Sequence, residues 1–354
     1  MRLIHRPATL RLNEPFTISR STDVEVEEVF VELEADGVTG YGEASPQDVY
    51  GETVESASAF LDEAEPLLGD DPFAFAEIER RLAEVPGEMA AKAALDSALH
   101  DLCGKLTGRP VWRLLGLDRA GPPTSWTIWL GDPDDMARRT ERLGDRFKRL
   151  KLKLGARDGL DVERVRAVRS VTDLPLQVDV NEYWQLEEAL ENVNALADLG
   201  VQYVEQPLPA GDPGGPRLKK VSPLPIYVDE DIHTAKDVRA AAERAHGVNM
   251  KLAKSGGIRE CVRIAHAARA LDLGVMLGCM VESSVAIAAA CQVASLCDHV
   301  DLDGNLLLAD DPWEGVEFVD GVQLPSLDPG LGVTRASGSP LGKGASSRRA
   351  GPHT

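Results

Sequence analysis

Paired cysteines and long apolar runs are both lacking in this chain of 354 residues. Its five cysteines form no CxxC pair, which argues against a disulfide framework and against a structural zinc site. No run of about 18 apolar residues occurs, and the N-terminal segment lacks the apolar core of a signal peptide. We therefore expect neither a membrane span nor a secretion signal, and a reducing cytoplasm as the location.

Positive charge is also in short supply. Lys and Arg number 38 against 58 Asp and Glu, which gives a formal net charge of −20. A surface with this excess of acid repels phosphate backbones and anionic lipid. Nucleic acid and membranes are therefore excluded as expected partners. The sequence leaves the oligomeric state open, with a homo-oligomer as one alternative.

The two ends of the chain have patterns that differ from that of its middle. Residues 24–44 alternate apolar and polar side chains around a turn at Asp36-Gly37, and helical spacing follows over 53–68, 72–82 and 88–106. This predicts an α+β domain over residues 1–115. Residues 332–354 contain four basic residues, no acid and almost nothing able to form a core, which predicts a disordered tail.

Eight short apolar runs separated by amphipathic stretches follow the first domain. They are SWTIWLG, RLKLKLG, LPLQVDVN, VQYVEQP, LPIYVDED, GVNMKLAKSGG, GVMLGCM and HVDLDG, and their ends recur every 22–28 residues. One βα unit of a parallel barrel takes about this length. Residues 116–305 are therefore predicted to form a (β/α) barrel.

Acidic side chains stand at the ends of three successive predicted strands, at Asp179, Glu205 and Asp229. In parallel barrels the carboxyl ends of the strands carry the functional groups. Three carboxylates without His or Cys form an all-oxygen ligand set that suits Mg²⁺. A single strand-end Asp is more simply a helix cap, but three in succession favour a metal site.

Lysines flank these acids. Lys151 and Lys153 are two residues apart on one predicted strand, so both point to the same face, and Lys251 ends a strand on the other side of the barrel. A solvated alternating strand is the alternative for the first pair. With one lysine on each side of a metal-bound carboxylate, proton removal from the α-carbon and its return predict a racemase or epimerase.

These motifs resemble a known family. The K-x-K strand, the spaced acids and the segment from Lys251 to Gly257 resemble the muconate-lactonizing subgroup of the enolase superfamily, over nearly the whole chain to about Leu331. The resemblance implies the α/β fold class, as a modified (β/α)7β TIM barrel with an N-terminal α+β capping domain. It also implies that residues 306–331 return to the capping domain.

The same resemblance implies roles for the site residues. Lys153 and Lys251 would be the two acid/base residues, and Lys151 would stabilise the enolate. Mg²⁺ would be the cofactor, held by three ligands: Asp179, Glu205 and Asp229. Lys254 leaves the inward face of its strand, so we expect it to pair with Glu230 or with a loop acid and not to take part in catalysis.

MLGCMVES followed by HVDLDG is similar to the dipeptide epimerases within that subgroup. There a D-x-D pair binds the α-ammonium of the substrate, which implies this role for Asp301 and Asp303. Arg20 is implied as a substrate-binding residue, and Asp23 stands near the position where some relatives have a second basic residue that contacts the substrate side chain.

The expected function is thus Mg²⁺-dependent inversion of the α-carbon of the C-terminal residue of a dipeptide, Ala-Glu by default, through a metal-stabilised enolate. The main alternative is another enolate-forming reaction on this scaffold: o-succinylbenzoate synthesis, N-acylamino acid racemisation or cycloisomerisation. A lysine Schiff-base aldolase and a silent binding protein are two further alternatives.

Overall fold

A long antiparallel meander begins the fold. The computed structural model describes residues 1–337, and its first sheet has the order β1 (Arg2–Thr17), β2 (Thr22–Ala35) and β3 (Val38–Ala44). Asp36 and Gly37 connect β2 to β3 with φ of 52° and 76°. Two successive positive φ values are typical of the tight turn that joins twisted antiparallel strands.

Three helices pack on one face of this sheet: α1 (Val54–Leu68), α2 (Phe75–Leu82) and α3 (Met89–Thr107). The short α4 (Val111–Leu114) follows α3 and contacts it. The α3 helix lies directly on β3, since a Cβ atom at Gly40 or Gly42 would come within 2.1 Å of the carbonyl oxygens of Ala98 and Ala94. Glycine at these two strand positions therefore allows the backbones of helix and strand to approach closely.

Eight parallel strands form the second sheet, in sequence order. The strands are β4 (Trp126–Ile128), β5 (Leu150–Lys153), β6 (Leu176–Asp179), β7 (Val201–Glu205), β8 (Ile226–Val228), β9 (Gly247–Met250), β10 (Gly274–Leu277) and β11 (His299–Val300). The first and last strands meet, because the Ser125 amide donates to the Val300 carbonyl at 3.0 Å. The barrel prediction is confirmed, with each of the eight predicted runs supplying one strand.

Helices α5 to α12 surround these strands: α5 (Pro133–Glu141), α6 (Asp161–Arg169), α7 (Leu186–Asp198), α8 (Gly215–Val221), α9 (Val238–Arg244), α10 (Leu252–Ser255), α11 (Ile258–Ala270) and α12 (Ser284–Cys291). Among residues 1–337, no helix is both long and apolar enough to cross a bilayer.

Leu150 and Leu152 are fully buried among the apolar side chains of the barrel wall. Because side chains alternate along a strand, Lys151 and Lys153 point into the barrel.

The barrel interior is closed at one level by aromatic side chains. Tyr203, Tyr227 and Met276 form a separate buried cluster, and the Tyr227 ring lies where a Cβ at Gly247 or Gly274 would otherwise be, 2.2 Å away. Tyr203 precedes the strand-end Glu205 by two residues, so the aromatic layer lies below the polar one. The charged side chains therefore have a packed apolar floor.

The chain then continues through β12 (Trp313–Glu314), β13 (Glu317–Val319), β14 (Val322–Leu324) and β15 (Thr334–Arg335). The β13–β14 hairpin lies against the start of the barrel, where the Phe318 ring packs on Phe147 and the Thr124 amide donates to the Gly321 carbonyl. Leu308 forms a β-bridge with Leu12, and the Leu331 amide donates to Asp101 of α3 at 2.8 Å. These contacts fasten the end of the barrel to the first sheet.

The first residues of the predicted disordered tail are ordered. Val333 is 3% exposed, β15 pairs with β12, and Arg335 forms an ion pair with Glu32. The overall composition of the segment does not predict this order. Burial of Val333, together with the pairing of Arg335 with Trp313 and Glu32, is enough to hold these residues in place. The remainder of the predicted tail, 338–354, lies outside the described residues.

Candidate active site

Lys151 lies at the centre of the charged layer. Its side chain is 2% exposed, and Nζ lies 2.8 Å from Oδ2 of Asp301, 2.9 Å from Oε2 of Glu205 and 3.1 Å from Oδ2 of Asp179. Burial lowers the pKa of Lys151, but the charges of these carboxylates outweigh it and raise the pKa well above its ordinary value. Lys151 is therefore held as a buried ammonium ion.

The other two predicted lysines lie on opposite sides of the barrel mouth. Lys153 Nζ is 2.7 Å from Oδ2 of Asp179 and 3.3 Å from Oδ1 of Asn181. Lys251 Nζ is 2.7 Å from Oδ2 of Asp229. Lys153 ends β5 and Lys251 follows β9, four strands along in an eight-stranded barrel. A small molecule in the mouth would therefore have one amine on each side.

The three predicted metal ligands lie at the ends of three adjacent strands, each at most 1% exposed. Glu205 Oε2 and Asp229 Oδ2 are buried and accept no hydrogen bond of good geometry, although an ammonium lies near each of them. Among residues 1–337, no three acidic, His or Cys side chains converge closely enough to enclose an ion, and Lys151 lies within 3.1 Å of both Asp179 and Glu205. Hard oxygen donors with unfilled acceptor positions fit Mg²⁺ by type.

The charge states of these acids differ. Burial raises the pKa of Asp179 and Asp229, but the adjacent lysines lower both pKa values well below the ordinary range. Burial and the charge of Asp179 raise the pKa of Glu205 to about 7. Two of the three carboxylates are therefore firmly ionised, which a cation site requires.

Lys254 is not where the sequence placed it. We expected it to pair with Glu230 or a loop acid, but it is 1% exposed and its Nζ donates to both the side chain and the carbonyl oxygen of Asp229. The strand ends at Met250, and the short α10 turn brings Lys254 back against β8. Alternation along a strand does not apply beyond its last residue. Lys254 thus holds Asp229, a predicted metal ligand, in position.

Asp301 and Asp303 follow β11 and reach the same mouth. Asp301 accepts from Lys151 through Oδ2, while its Oδ1 is buried and has no hydrogen-bond partner among the described residues. Asp303 accepts from the Thr127 amide at 2.7 Å, and burial together with the charge of Asp301 raises its pKa to about 7. Two adjacent buried acids with an unfilled oxygen form a binding position for a cationic group.

Arg20 extends from the turn between β1 and β2 over the mouth. Its Nη2 donates to Glu182 at 2.9 Å, to the Asn181 carbonyl at 3.3 Å and to Glu230. Asn181 and Glu182 both have positive φ, 47° and 74°, where a side chain other than glycine is strained. Such strain is typical of functional sites and here turns the β6 end toward the capping hairpin.

One cavity joins these residues. The barrel contributes Lys151, Lys153, Lys251, Asp301 and Asp303, and the capping unit contributes side chains from the first hairpin and from residues 47–50. The sequence analysis missed Gln206 beneath it. Gln206 has φ of 36°, and its Oε1 accepts from the Asp229 amide at 2.7 Å, so it fixes the end of β8. Its position directly after Glu205 was the available signal.

Two family models match most of this chain. Residues 2–116 match the N-terminal domain of the mandelate racemase and muconate lactonizing enzymes, and residues 135–337 match the enolase C-terminal domain-like family. The chain belongs to this branch of the enolase superfamily. The family membership, the fold class and the resemblance to dipeptide epimerases that the sequence indicated are all confirmed.

Similar members of the family are named for dipeptide chemistry. An L-Ala-D/L-Glu epimerase of Bacteroides thetaiotaomicron is 41% identical over 95% of this chain and 88% of that protein. A hydrophobic dipeptide epimerase of a Flavobacteria bacterium is 39% identical over 94% and 98%. The crystal structure of a dipeptide epimerase from Enterococcus faecalis, complexed with Mg and L-Leu-L-Tyr, has a TM-score of 0.90 and 29% identity over 94% of this chain and 99% of that one.

Proposed function

We propose that the protein is a Mg²⁺-dependent epimerase that inverts the α-carbon of the C-terminal residue of a dipeptide. The observation that carries the proposal is the placement of Lys153 and Lys251 on opposite sides of one mouth, with Asp301 and Asp303 beside them. Inversion requires proton removal on one face of a carbon and proton delivery on the other. Two lysines four strands apart meet this requirement.

Asp179, Glu205 and Asp229 would hold the metal. When bound, Mg²⁺ would neutralise these carboxylates, whose charges raise the pKa of Lys151 and Lys251, and would stabilise the negative charge developing on the substrate carboxylate. Lys151, fully buried between Glu205 and Asp301, adds a fixed positive charge to the same region. Asn249 holds Glu205 through a hydrogen bond of 2.7 Å, which fixes the orientation of that carboxylate.

The substrate amino terminus would bind Asp301 and Asp303. Asp301 Oδ1 has no hydrogen-bond partner, so an ammonium ion there gains a charge-assisted contact and satisfies a buried acceptor at once. Because this contact is remote from the reacting carbon, its energy serves to position that carbon between the lysines. A substrate whose nitrogen is acylated lacks the cation and loses this contact.

The five cysteines are free, and four of them are buried, which agrees with the reducing cytoplasm proposed as the location.

The test is α-proton exchange in D₂O, followed by mass spectrometry across a set of dipeptides. We expect exchange and loss of optical purity with Mg²⁺, none after EDTA, and recovery when Mg²⁺ is returned. N-acetylated versions of the same dipeptides are the matched controls and should react at least tenfold more slowly. If the acetylated compounds react as readily as the free dipeptides, the protein is an acylamino acid racemase instead.

A further inference from the structure

Two charged side chains of the hairpin formed by β1 and β2, the capping hairpin, line the substrate cavity. They differ in how many ion pairs they form within the protein. Arg20 already contacts Glu182 and Glu230 through Nη2. Within the described part of the chain, the Asp23 side chain accepts a hydrogen bond only from the Ser21 hydroxyl, at 2.8 Å, and Asp23 is half-buried at the cavity wall. Arg20 is thus paired with two carboxylates, of which Glu230 also lines the cavity. The carboxylate of Asp23 has no cationic partner among residues 1–337.

Asp23 lies on an apolar wall. It pairs directly with Phe16 across the hairpin, and Phe16, Ile18 and Val26 line the cavity with it. Directly opposed residues of two antiparallel strands face the same side, so the Phe16 ring and the Asp23 carboxylate form one surface. Such a surface is complementary to a side chain with an aliphatic stem and a cationic end.

The position of this wall relative to Asp301 and Asp303 determines which part of a bound dipeptide would contact it. Asp301 and Asp303 follow β11, whereas Glu230, which contacts Arg20, follows β8, with two strands between them. A dipeptide with its amino terminus at the β11 side and its reacting carbon between Lys153 and Lys251 extends its C-terminal side chain away from β11. That direction leads to the capping hairpin.

We infer that the preferred substrate is a dipeptide whose C-terminal, epimerised residue has a cationic side chain of the lysine or arginine class, recognised by Asp23. The inference rests on the proposed function and specifies its substrate. An acidic side chain would meet Asp23 and the two acids that already neutralise Arg20. Arg20 keeps free donors at Nε and Nη1 within the described part of the chain, so an acidic substrate is the competing outcome of the test.

The test compares kcat/KM for L-Ala-L-Lys, L-Ala-L-Gln and L-Ala-L-Glu in the Mg²⁺-loaded full chain. We expect the Lys dipeptide to exceed the Glu dipeptide by about tenfold to a hundredfold, the range for one hydrogen bond to a charged group. Asp23→Asn keeps the shape of the side chain and should reduce the Lys-to-Glu ratio by a similar factor. Asp23→Arg should reverse the preference.

Glu27→Arg is the matched control, since Glu27 is an exposed acid on the same strand and is not part of the cavity wall. It should change the Lys-to-Glu ratio by less than about twofold, because exposed charges are screened by salt. A wild type that prefers the Glu dipeptide overturns the inference, as does a ratio that Asp23→Asn leaves unchanged. An equal shift in Glu27→Arg would assign the preference to the overall charge instead.

Failure of the proposed function would look different. In that case none of the three dipeptides would exchange its α-proton with either wild type or variants, whereas failure of the specificity inference alone leaves exchange intact with another order of preference. Thermal unfolding of each variant establishes that a lost activity is not a lost fold.

Discussion

Buried carboxyl groups occur in two regions of this molecule, and the two regions differ in whether a lysine ammonium group lies beside the carboxyl groups. At the barrel mouth, Asp179 and Asp229 lie within 2.7 Å of lysine ammonium groups. Where the capping sheet meets the barrel, Glu28, Glu43 and Glu282 form an interface cluster that has no ion pair among the described residues. All five carboxyls are at most 5% exposed.

Burial therefore does not decide the charge of these groups. The lysines lower the pKa of Asp179 and Asp229, whereas burial and the neighbouring acid raise the pKa of Glu43 to about 8. Burial also raises the pKa of Glu282 to about 7. Asp179 and Asp229 of the mouth therefore stay ionised beside their lysines, while Glu43 of the interface cluster holds its proton at neutral pH. The hydrogen bonds of this cluster, such as that from the Ser283 amide to Glu43 at 2.9 Å, join the two units.

The largest effect is expected from Asp229→Asn. The change removes a proposed ligand and leaves Lys251 and Lys254 buried without their carboxylate. We expect kcat/KM to fall by at least about a hundredfold to a thousandfold, and the free energy of unfolding in urea to fall by about 3–5 kcal/mol. Glu187→Gln, an exposed acid on α7, should leave both values near wild type. Wild-type activity in Asp229→Asn would remove it from the ligand set.

Glu43→Gln tests the interface cluster through the pH dependence of stability. Since the pKa of Glu43 is raised by folding, the folded protein holds a proton that the unfolded chain releases, and wild-type stability falls as the pH rises from about 4.5 to about 8. This contribution is on the order of 5 kcal/mol. The glutamine variant should lose less stability between pH 5 and pH 8.5 in denaturant titrations, whereas Glu27→Gln should follow wild type. Parallel curves for wild type and Glu43→Gln would show that Glu43 is ionised in the fold.

Asp301→Asn and Asp303→Asn test an intermediate case. Asp301 contacts Lys151 and still has an unfilled oxygen, and Asp303 accepts from the Thr127 amide. Each change should cost about 1.5–3 kcal/mol of transition-state stabilisation, roughly tenfold to a hundredfold in kcat/KM for free dipeptides. Turnover of N-acetylated dipeptides should change far less. If both substrates are affected equally, Asp301 serves only to hold Lys151 and Asp303 only to hold the Thr127 amide.

The smallest effect is expected at the surface. Arg335 forms an ion pair with the half-buried Glu32, and its guanidinium lies 5.7 Å from the ring centre of Trp313. Arg335→Ala should lower the free energy of unfolding by about 0.5–1 kcal/mol, because partly exposed pairs gain little over hydrated charges. A matched change at the exposed Arg11 should cost less. A loss of several kcal/mol at Arg335 would place it with the buried pairs of the mouth.

Much of the barrel was predictable because its signals are local. The alternation in LKLK put two lysines on one face, and the regular spacing of strand ends brought Asp179, Glu205 and Asp229 to one edge. The contact of Arg20 with Glu230 joins residues 210 positions apart, and that of Glu43 with Ser283 joins residues 240 apart. No local pattern encodes such pairs, because they depend on how the capping sheet docks.

Lys254 shows a second limit. The spacing from Lys251 correctly removed it from the inward strand face, yet the one-turn α10 helix returned its side chain to Asp229. A strand end and a helix start are separated by one residue here, so the position of the boundary decides the contact. Boundaries are what sequence patterns define least well.

The central claim, that one lysine acts on each face of the substrate, is tested most directly by proton exchange in Lys153→Ala and Lys251→Ala. Both variants should lose epimerisation, and each should still exchange the α-proton of a single enantiomer in D₂O, with opposite enantiomers in the two variants. The measurement is deuterium incorporation into each purified diastereomer of a reactive dipeptide. Exchange of both diastereomers in either variant, or epimerisation that persists, would contradict the two-lysine account.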